Sequence, residues 1–243
     1  MNPFEGVEVI AFELSNRCVY SAQHERCPVD AKADLVVLPT QVISDVFDVM
    51  AEYEYDKIVQ FSIYNEPLHD PRLYFLIDMV LRDCPGVFVD LLTNGWYLNQ
   101  QILTELEELG VGSVRVTAYG DSEIERLTQL KTDKMVYGVG KGNLDDRIYT
   151  YERDYTGNNN PCIMPEKYIM INSDCSVGLC CIDFKHQHTW GNLLVTPLEE
   201  ILTSAYRAEK VQDLKKGIRK LDLCKRCHHN GKQYNYRPIE PVG

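Results

Sequence analysis

The chain has 243 residues, 36 acidic and 25 basic, for a formal net charge of −11, enough for one compact body or two modest ones. Hydrophobic residues at 44% and charged residues at 25% match an ordinary globular protein and exclude a disordered chain. No stretch approaches the ~20 apolar residues of a membrane span, the first residues lack a signal peptide's basic start and apolar run, and the acidic balance argues against a broad nucleic-acid surface, so a cytoplasmic protein with no nucleic-acid or membrane partner is expected.

Residues 7–14 mix β-branched and aromatic side chains with acids, which predicts a strand that Ser15, Asn16 and Arg17 end. Pro39, Thr40 and Gln41 open a helix with Val42, Ile43, Val46, Phe47 and Met50 on one face, and residues 58–63 read as a second strand. Residues 73–81 suit a helix, 87–92 a strand running into Thr93-Asn94-Gly95, 100–109 a helix closed by Gly110, and 113–119 a strand. Such alternation predicts parallel strands joined by right-handed crossovers, in a sheet or barrel. Past residue 140, Lys141-Gly142-Asn143 and residues 156–161 are loop punctuation. The expected boundary falls there, dividing the chain into residues 1–150 and 151–243. In the second part, residues 168–171 and 176–179 predict a hairpin, and 198–214 one helix ending before Gly217.

Nine cysteines, an odd total with uneven spacing, are poor evidence for a disulfide framework and better evidence for metal or redox chemistry. Cys162, Cys180 and the pair Cys224-Lys225-Arg226-Cys227 give two single thiols and a Cys-x-x-Cys, followed at once by His228 and His229. Four thiolates suit a tetrahedral zinc ion or an iron–sulfur cluster, and spacing does not separate the two. Free thiols packed as small hydrophobes are the bland alternative. In a barrel of parallel strands the reactive mouth lies at the strands' C-terminal ends. That gathers the loop of Cys18 and Cys27, the loop Tyr64-Asn65-Glu66-Pro67, and the turn Thr93-Asn94-Gly95.

The run Glu13-Leu14-Ser15-Asn16-Arg17-Cys18 with Cys27-Pro28, then Tyr64-Asn65-Glu66-Pro67 and Leu91-Leu92-Thr93-Asn94-Gly95, resembles the radical S-adenosylmethionine (SAM) superfamily. The C-terminal block, Cys162, then Gly178-Leu179-Cys180-Cys181-Ile182-Asp183-Phe184, Gly191-Asn192 and Cys224-Lys225-Arg226-Cys227, resembles the shortened SPASM auxiliary-cluster domain called Twitch. The resemblance covers nearly the whole chain. It implies an α/β fold: a partial (β/α)6 TIM-like barrel over residues 1–150, then a small β-hairpin plus helix Twitch domain over 151–243.

The resemblance also implies two [4Fe–4S] clusters, one binding SAM at the first loop and one auxiliary, the latter held by Cys162, Cys180, Cys224 and Cys227. Tyr64, Asn65 and Glu66 fall in the loop that meets the SAM amino group, although Asn65 stands where Gly is common, and an acid beside Pro67 also suits a helix N-terminus. Thr93, Asn94, Thr117 and Tyr119 lie at strand ends toward the same mouth, for the SAM ribose or carboxylate or for turn chemistry alone. Arg153 aligns with an arginine that sits beside SAM or substrate; a surface ion pair with Glu152 or Asp154 is its other reading.

The first loop departs from the family spacing Cys-x3-Cys-x2-Cys. Counted from Cys18, the next two positions are Ala22 and Glu25; counted back from Cys27-Pro28, the middle position is His24. Imidazole ligates iron in Rieske clusters and raises their potential. Three readings stand: His24 completes a metal set with Cys18 and Cys27, the site is degenerate and has lost radical chemistry, or the loop is an altered one.

The activity implied is that of an oxidoreductase, in which the 5′-deoxyadenosyl radical takes hydrogen from a small-molecule substrate, aminocyclitol- or sugar-like, on the way from alcohol to ketone in natural-product biosynthesis. Reduced flavodoxin or ferredoxin is the implied electron donor. The alternatives are an epimerase using Cys84, Cys175 or Cys181 as hydrogen donor, a peptide-modifying maturase, and a non-catalytic protein that keeps only the C-terminal metal site.

Overall fold

The computed structural model describes residues 2–23, 27–142 and 158–227. Strands β1 (Val9–Phe12), β2 (Ile58–Gln60), β3 (Phe88–Thr93), β4 (Ser113–Ala118), β5 (Val136–Lys141), β6 (Tyr168–Ile171), β7 (Ser176–Gly178) and β8 (Thr189–Asn192) form one open sheet in the order β5-β4-β3-β2-β1-β6-β7-β8. Neighbours from β5 through β6 pair in parallel, while β6–β7 and β7–β8 are antiparallel. The mixed α/β architecture with an open, barrel-like parallel sheet is therefore present. The sixth parallel strand enters beside β1, not beyond β5, and brings the predicted hairpin with it.

The connections are α1 (Thr40–Glu52), α2 (Leu73–Asp83), α3 (Gln100–Leu109) and α4 (Asp121–Thr128). They obey the parallel-strand rule that a crossover helix covers the sheet. On α1 the predicted stripe of Val42, Ile43, Val46, Phe47 and Met50 is buried. Phe47 meets Phe12 of β1 with ring centroids 5.5 Å apart, and Phe12 stacks on Phe61 at 5.9 Å. Full burial of such side chains stabilises by about 1.5–3 kcal/mol each. Gly110 closes α3 in the left-handed conformation, φ +101°, as the sequence led us to expect.

The C-terminal part adds α5 (Met164–Lys167), α6 (Leu198–Thr203), α7 (Ala205–Lys215) and α8 (Asp222–Arg226). The single helix expected over 198–214 is two. Ser204 is extended at φ −60°, ψ 141°, and its hydroxyl accepts from the Arg207 amide at 3.2 Å. A serine offering a cap competes with helix continuation, and here the cap wins. No helix among the described residues is long and apolar enough to cross a membrane.

Candidate functional site

A cavity of about 280 Å³ opens at the C-terminal ends of the central strands, with Cys18, Tyr64, Asn65, Glu66, Thr93, Asn94, Thr117 and Tyr119 all in its wall. The sequence places these residues in four separate segments; the parallel register brings them together. Glu66 organises the junction. One carboxylate oxygen accepts from the Leu68 amide at 3.1 Å and the Thr93 hydroxyl at 2.6 Å, and the other from the Asn94 amide at 2.8 Å. The glutamate therefore caps the short 3-10 turn Pro67–His69 and lines the cavity at once. Burial pushes its carboxyl above the usual range despite these donors.

Its own amide donates to the Arg17 carbonyl at 2.9 Å, fixing the first cysteine loop to the loop after β2. Asn94 completes the triangle by donating its side-chain amide to the Cys18 sulfur at 3.6 Å. Burial, with the nearby Cys27 thiol and Glu66 carboxylate, pushes the Cys18 thiol up. Thus Cys18, Cys27 and Glu66 are electrostatic neighbours, and a positive group between them relieves the repulsion. Asn65 acts on its own loop: its side chain accepts from the Ile63 amide and donates to the Phe61 carbonyl, both at 3.1 Å. That explains how a non-glycine serves at this turn.

Beside Cys18, Tyr20 packs edge-on against Trp96 at 5.5 Å and Tyr119 at 5.2 Å, with its hydroxyl on Glu123. This aromatic corner was not singled out in the sequence, where Tyr20 and Trp96 stand 76 residues apart. Deeper in the same cavity lie Gln60, Ser62 and Arg115, also missed. Their signal was available: Gln60 and Ser62 in β2 and its extension, Asp90 in β3, and Ser113 and Arg115 in β4 are polar residues at alternate positions of otherwise apolar strands, which puts them on one face.

The four C-terminal thiols converge. Cys180 is pushed well above the ordinary thiol range by burial and by its neighbours Cys181, Cys224 and Cys227. Cys224 is pushed up to about 12 by burial and by Cys162 and Cys227. Cys162 is raised by burial and by Cys227 and Cys181, with Arg219 opposing. Arg219 braces this corner by donating to the Cys224 carbonyl at 3.1 Å and the Asn160 carbonyl at 3.0 Å. Among the described residues, no three such ligands stand close enough for one metal ion. Zinc at 2.3 Å from each thiolate needs sulfurs about 3.8 Å apart; a four-iron cluster holds its ligands further apart. Four neighbouring thiolates are a donor set that fits an iron–sulfur cluster.

His24 and Arg153, with Tyr149, Tyr151, Tyr155, His228 and His229, lie outside the described residues. Of the unassigned thiols, Cys84 is buried in the core against the Phe47 carbonyl, Cys175 is buried at the hairpin turn with φ +66°, and Cys181 lines the cavity.

Residues 162–228 match the SPASM iron–sulfur cluster-binding domain. That match covers all four converging thiols. Over almost its full length the chain is also similar to the S-adenosyl-L-methionine-dependent 2-deoxy-scyllo-inosamine dehydrogenase of Niallia circulans, 22% identical over 248 residues, covering 94% of this chain and 97% of the relative. Among solved structures, BtrN in complex with AdoMet and 2-DOIA superposes with a TM-score of 0.78 at 23% identity, covering 95% of this chain and 98% of that one. Native anSMEcpe with bound AdoMet superposes at 0.61 with 14% identity, covering 93% and 91%. The fold of this chain is theirs, an open parallel sheet followed by the auxiliary-cluster domain.

Proposed function

We propose that this chain is a radical SAM oxidoreductase that removes two hydrogens from an alcohol of a small molecule, giving a ketone. The observation that carries the reading is one cavity holding Cys18 and Glu66 at its mouth and Cys181, next to the four-thiol corner, in its wall. The similarity to a SAM-dependent dehydrogenase over 94% of the chain supports it.

Cys18 and Cys27, with His24, would hold the first cluster, and Cys162, Cys180, Cys224 and Cys227 would hold the auxiliary one. When bound, these groups and SAM supply an electron and the 5′-deoxyadenosyl radical that abstracts hydrogen. The protein's own part is placement. Glu66 offers an ionised carboxylate about four acceptor positions, three of which the chain fills, so one remains for a donor such as the SAM ammonium. Asn94 and Thr93 fix that carboxylate, and Tyr20, packed edge-on against Tyr119, borders the site beside Cys18. By the resemblance alone, Arg153 would serve substrate or SAM. An auxiliary cluster with four thiolates leaves no open iron site and so suits electron transfer.

The proposed division is a barrel over residues 1–150 and a Twitch domain over 151–243, with β6 of the second part completing the parallel sheet beside β1; the proposed compartment is the cytoplasm, the donor reduced flavodoxin or ferredoxin, and the setting natural-product biosynthesis. Anaerobic reconstitution tests the reading: two [4Fe–4S] clusters give about eight irons per chain, and a strong reductant should then release 5′-deoxyadenosine from SAM. Zinc alone with no 5′-deoxyadenosine would leave only the non-catalytic alternative.

A further inference from the structure

Arg72 is not part of the cavity wall, yet its side chain is bonded to both ends of the loop that carries Cys18 and Cys27. Nη1 donates to the Leu38 carbonyl at 2.8 Å and the Thr40 hydroxyl at 3.1 Å, Nη2 to the Leu14 carbonyl at 3.2 Å and Asp70 Oδ2 at 2.7 Å, and Nε to Asp70 Oδ1 at 3.0 Å. A guanidinium has five N–H donors, and these bonds commit them all. None is left for substrate or SAM, so Arg72 holds the chain and binds no ligand.

Leu14 follows β1 and Leu38 precedes α1, so their carbonyls mark the entry and exit of the cysteine loop. The two ends also pair directly. The Leu38 amide donates to the Leu14 carbonyl and the Asn16 amide to the Val36 carbonyl, both at 3.0 Å, and Ser15 faces Val37 in an antiparallel bridge. Backbone pairing thus closes the base of the loop by itself. What Arg72 adds is a tie between that base and the loop after β2.

The stretch from Glu66 to Arg72 is one hydrogen-bonded unit. The Glu66 carbonyl accepts from the His69 amide at 3.1 Å, the Pro67 carbonyl from the Asp70 amide at 3.0 Å, and Asp70 Oδ1 from the Arg72 amide at 2.9 Å. Asp70 has a side chain only 5% exposed, and its two-point grip fixes the guanidinium plane. The unit grips the cysteine loop twice: through Arg72 at the base, and through the Glu66 amide on the Arg17 carbonyl at 2.9 Å, next to Cys18. Two separated attachments fix position and orientation, where one would leave a pivot. We infer that Arg72, set by Asp70, is a positioning residue that fixes the Glu66 carboxylate relative to Cys18, the two groups between which SAM binds. This assignment rests on reading the chain as a radical SAM oxidoreductase.

Arg72→Lys keeps a cation beside Asp70 but replaces a planar five-donor fork with a compact ammonium. Thr40→Val removes one acceptor and is the milder variant. Hydrogen exchange of the reconstituted enzymes, read by mass spectrometry, is expected to quicken about fivefold over the segment from Glu66 to Arg72 in Arg72→Lys, with β6 and β7 unchanged. Iron per chain should equal the parent's, because the backbone pairs still close the loop. By calorimetric titration the SAM dissociation constant should rise about tenfold in Arg72→Lys, the scale of a small misplacement, and about threefold in Thr40→Val, the scale of one hydrogen bond. A merely structural role would lower the melting temperature and leave SAM affinity where it was. Unchanged exchange, SAM affinity equal to the parent's, or loss of iron from the first site in Arg72→Lys overturns the assignment. If Arg72→Lys does not fold, unchanged SAM affinity in Thr40→Val overturns it. A parent that binds no SAM overturns the radical SAM reading instead, and the exchange comparison still reports the tie, so that either idea can fail alone.

Discussion

The Tyr64 hydroxyl donates a 2.9 Å hydrogen bond to the carbonyl of Cys181. It ties the loop that carries Glu66 to the residue beside Cys180, across 117 positions of sequence, and links the candidate SAM site to the four-thiol corner through one side chain and one peptide. His186 stacks near the same ring at 6.4 Å. Removing only the hydroxyl, in Tyr64→Phe, takes away one hydrogen bond worth about 0.5–1.5 kcal/mol. The expected result is a melting temperature lower by about 2–5 °C with iron per chain unchanged. Calorimetry alongside iron analysis checks this, and loss of about half the iron would show that the bond holds the auxiliary site and not merely the loop.

Gly95 is a sharper test of the mouth. Its φ is +77°, and a Cβ there would meet Val116 Cγ1 at 2.7 Å and Leu127 Cδ1 at 2.8 Å. The left-handed conformation costs an L-residue roughly 1–2 kcal/mol, and overpacking adds about 1–3. Gly95→Ala is therefore expected to destabilise by roughly 2–5 kcal/mol. It also shifts Asn94, which holds both Glu66 and Cys18, so the variant should bind SAM more weakly by titration. A variant as stable as the parent would mean that the turn is not fixed as described.

Much of this was legible in the sequence. The α1 stripe, the Gly110 cap and the alternation of strands and helices follow from local chemistry, and the motifs around Cys18, Glu66 and Asn94 pointed to one mouth before any coordinate. What was not legible had physical causes. β5 carries Gly138 and Gly140 among its branched residues, which erases the period-2 signal; α4 and β8 are short. The Ser204 break depends on a single side chain outcompeting eight or more residues of helical pattern. That β6 pairs with β1 is a tertiary choice that no local pattern encodes. The polar patch of Gln60, Asp90 and Arg115 was visible as alternate polar residues, but their partners become evident only once the register is known.

At the first loop, the register with Cys27-Pro28 is the ground on which we propose His24 as the middle ligand. His24→Ala should lower iron from about eight to about four per chain and abolish 5′-deoxyadenosine release. His24→Cys should retain about eight and lower the potential of that cluster, since imidazole ligation raises it. Iron analysis with a redox titration separates the cases. Unchanged iron in His24→Ala removes His24 from the ligand set.

Asp174 and His186 give the protein a pH-dependent contact. His186 Nδ1 lies 3.3 Å from Asp174, whose other oxygen accepts from the Ser176 hydroxyl at 2.6 Å. Burial opposes charging His186, but the bond to Asp174 and the charges of Glu13 and Asp183 overcome it and raise its pKa above 6.5. Asp174 is lowered below 3.8, first by His186. A raised histidine stabilises the fold fully below its unfolded value and loses that contribution as pH rises through the folded value; a lowered carboxylate stabilises above its unfolded value and loses the contribution on acidification. The pair is thus at full strength between about pH 4 and 6.5. Asp174 is half exposed, so the contribution is that of a screened pair, about 0.2–1 kcal/mol. The melting temperature of the holoprotein should exceed that of His186→Asn most at pH 5.5 to 6, and the gap should narrow by pH 8.5. A gap that stays constant across that range would show that His186 acts through packing on Tyr64 and not through its charge.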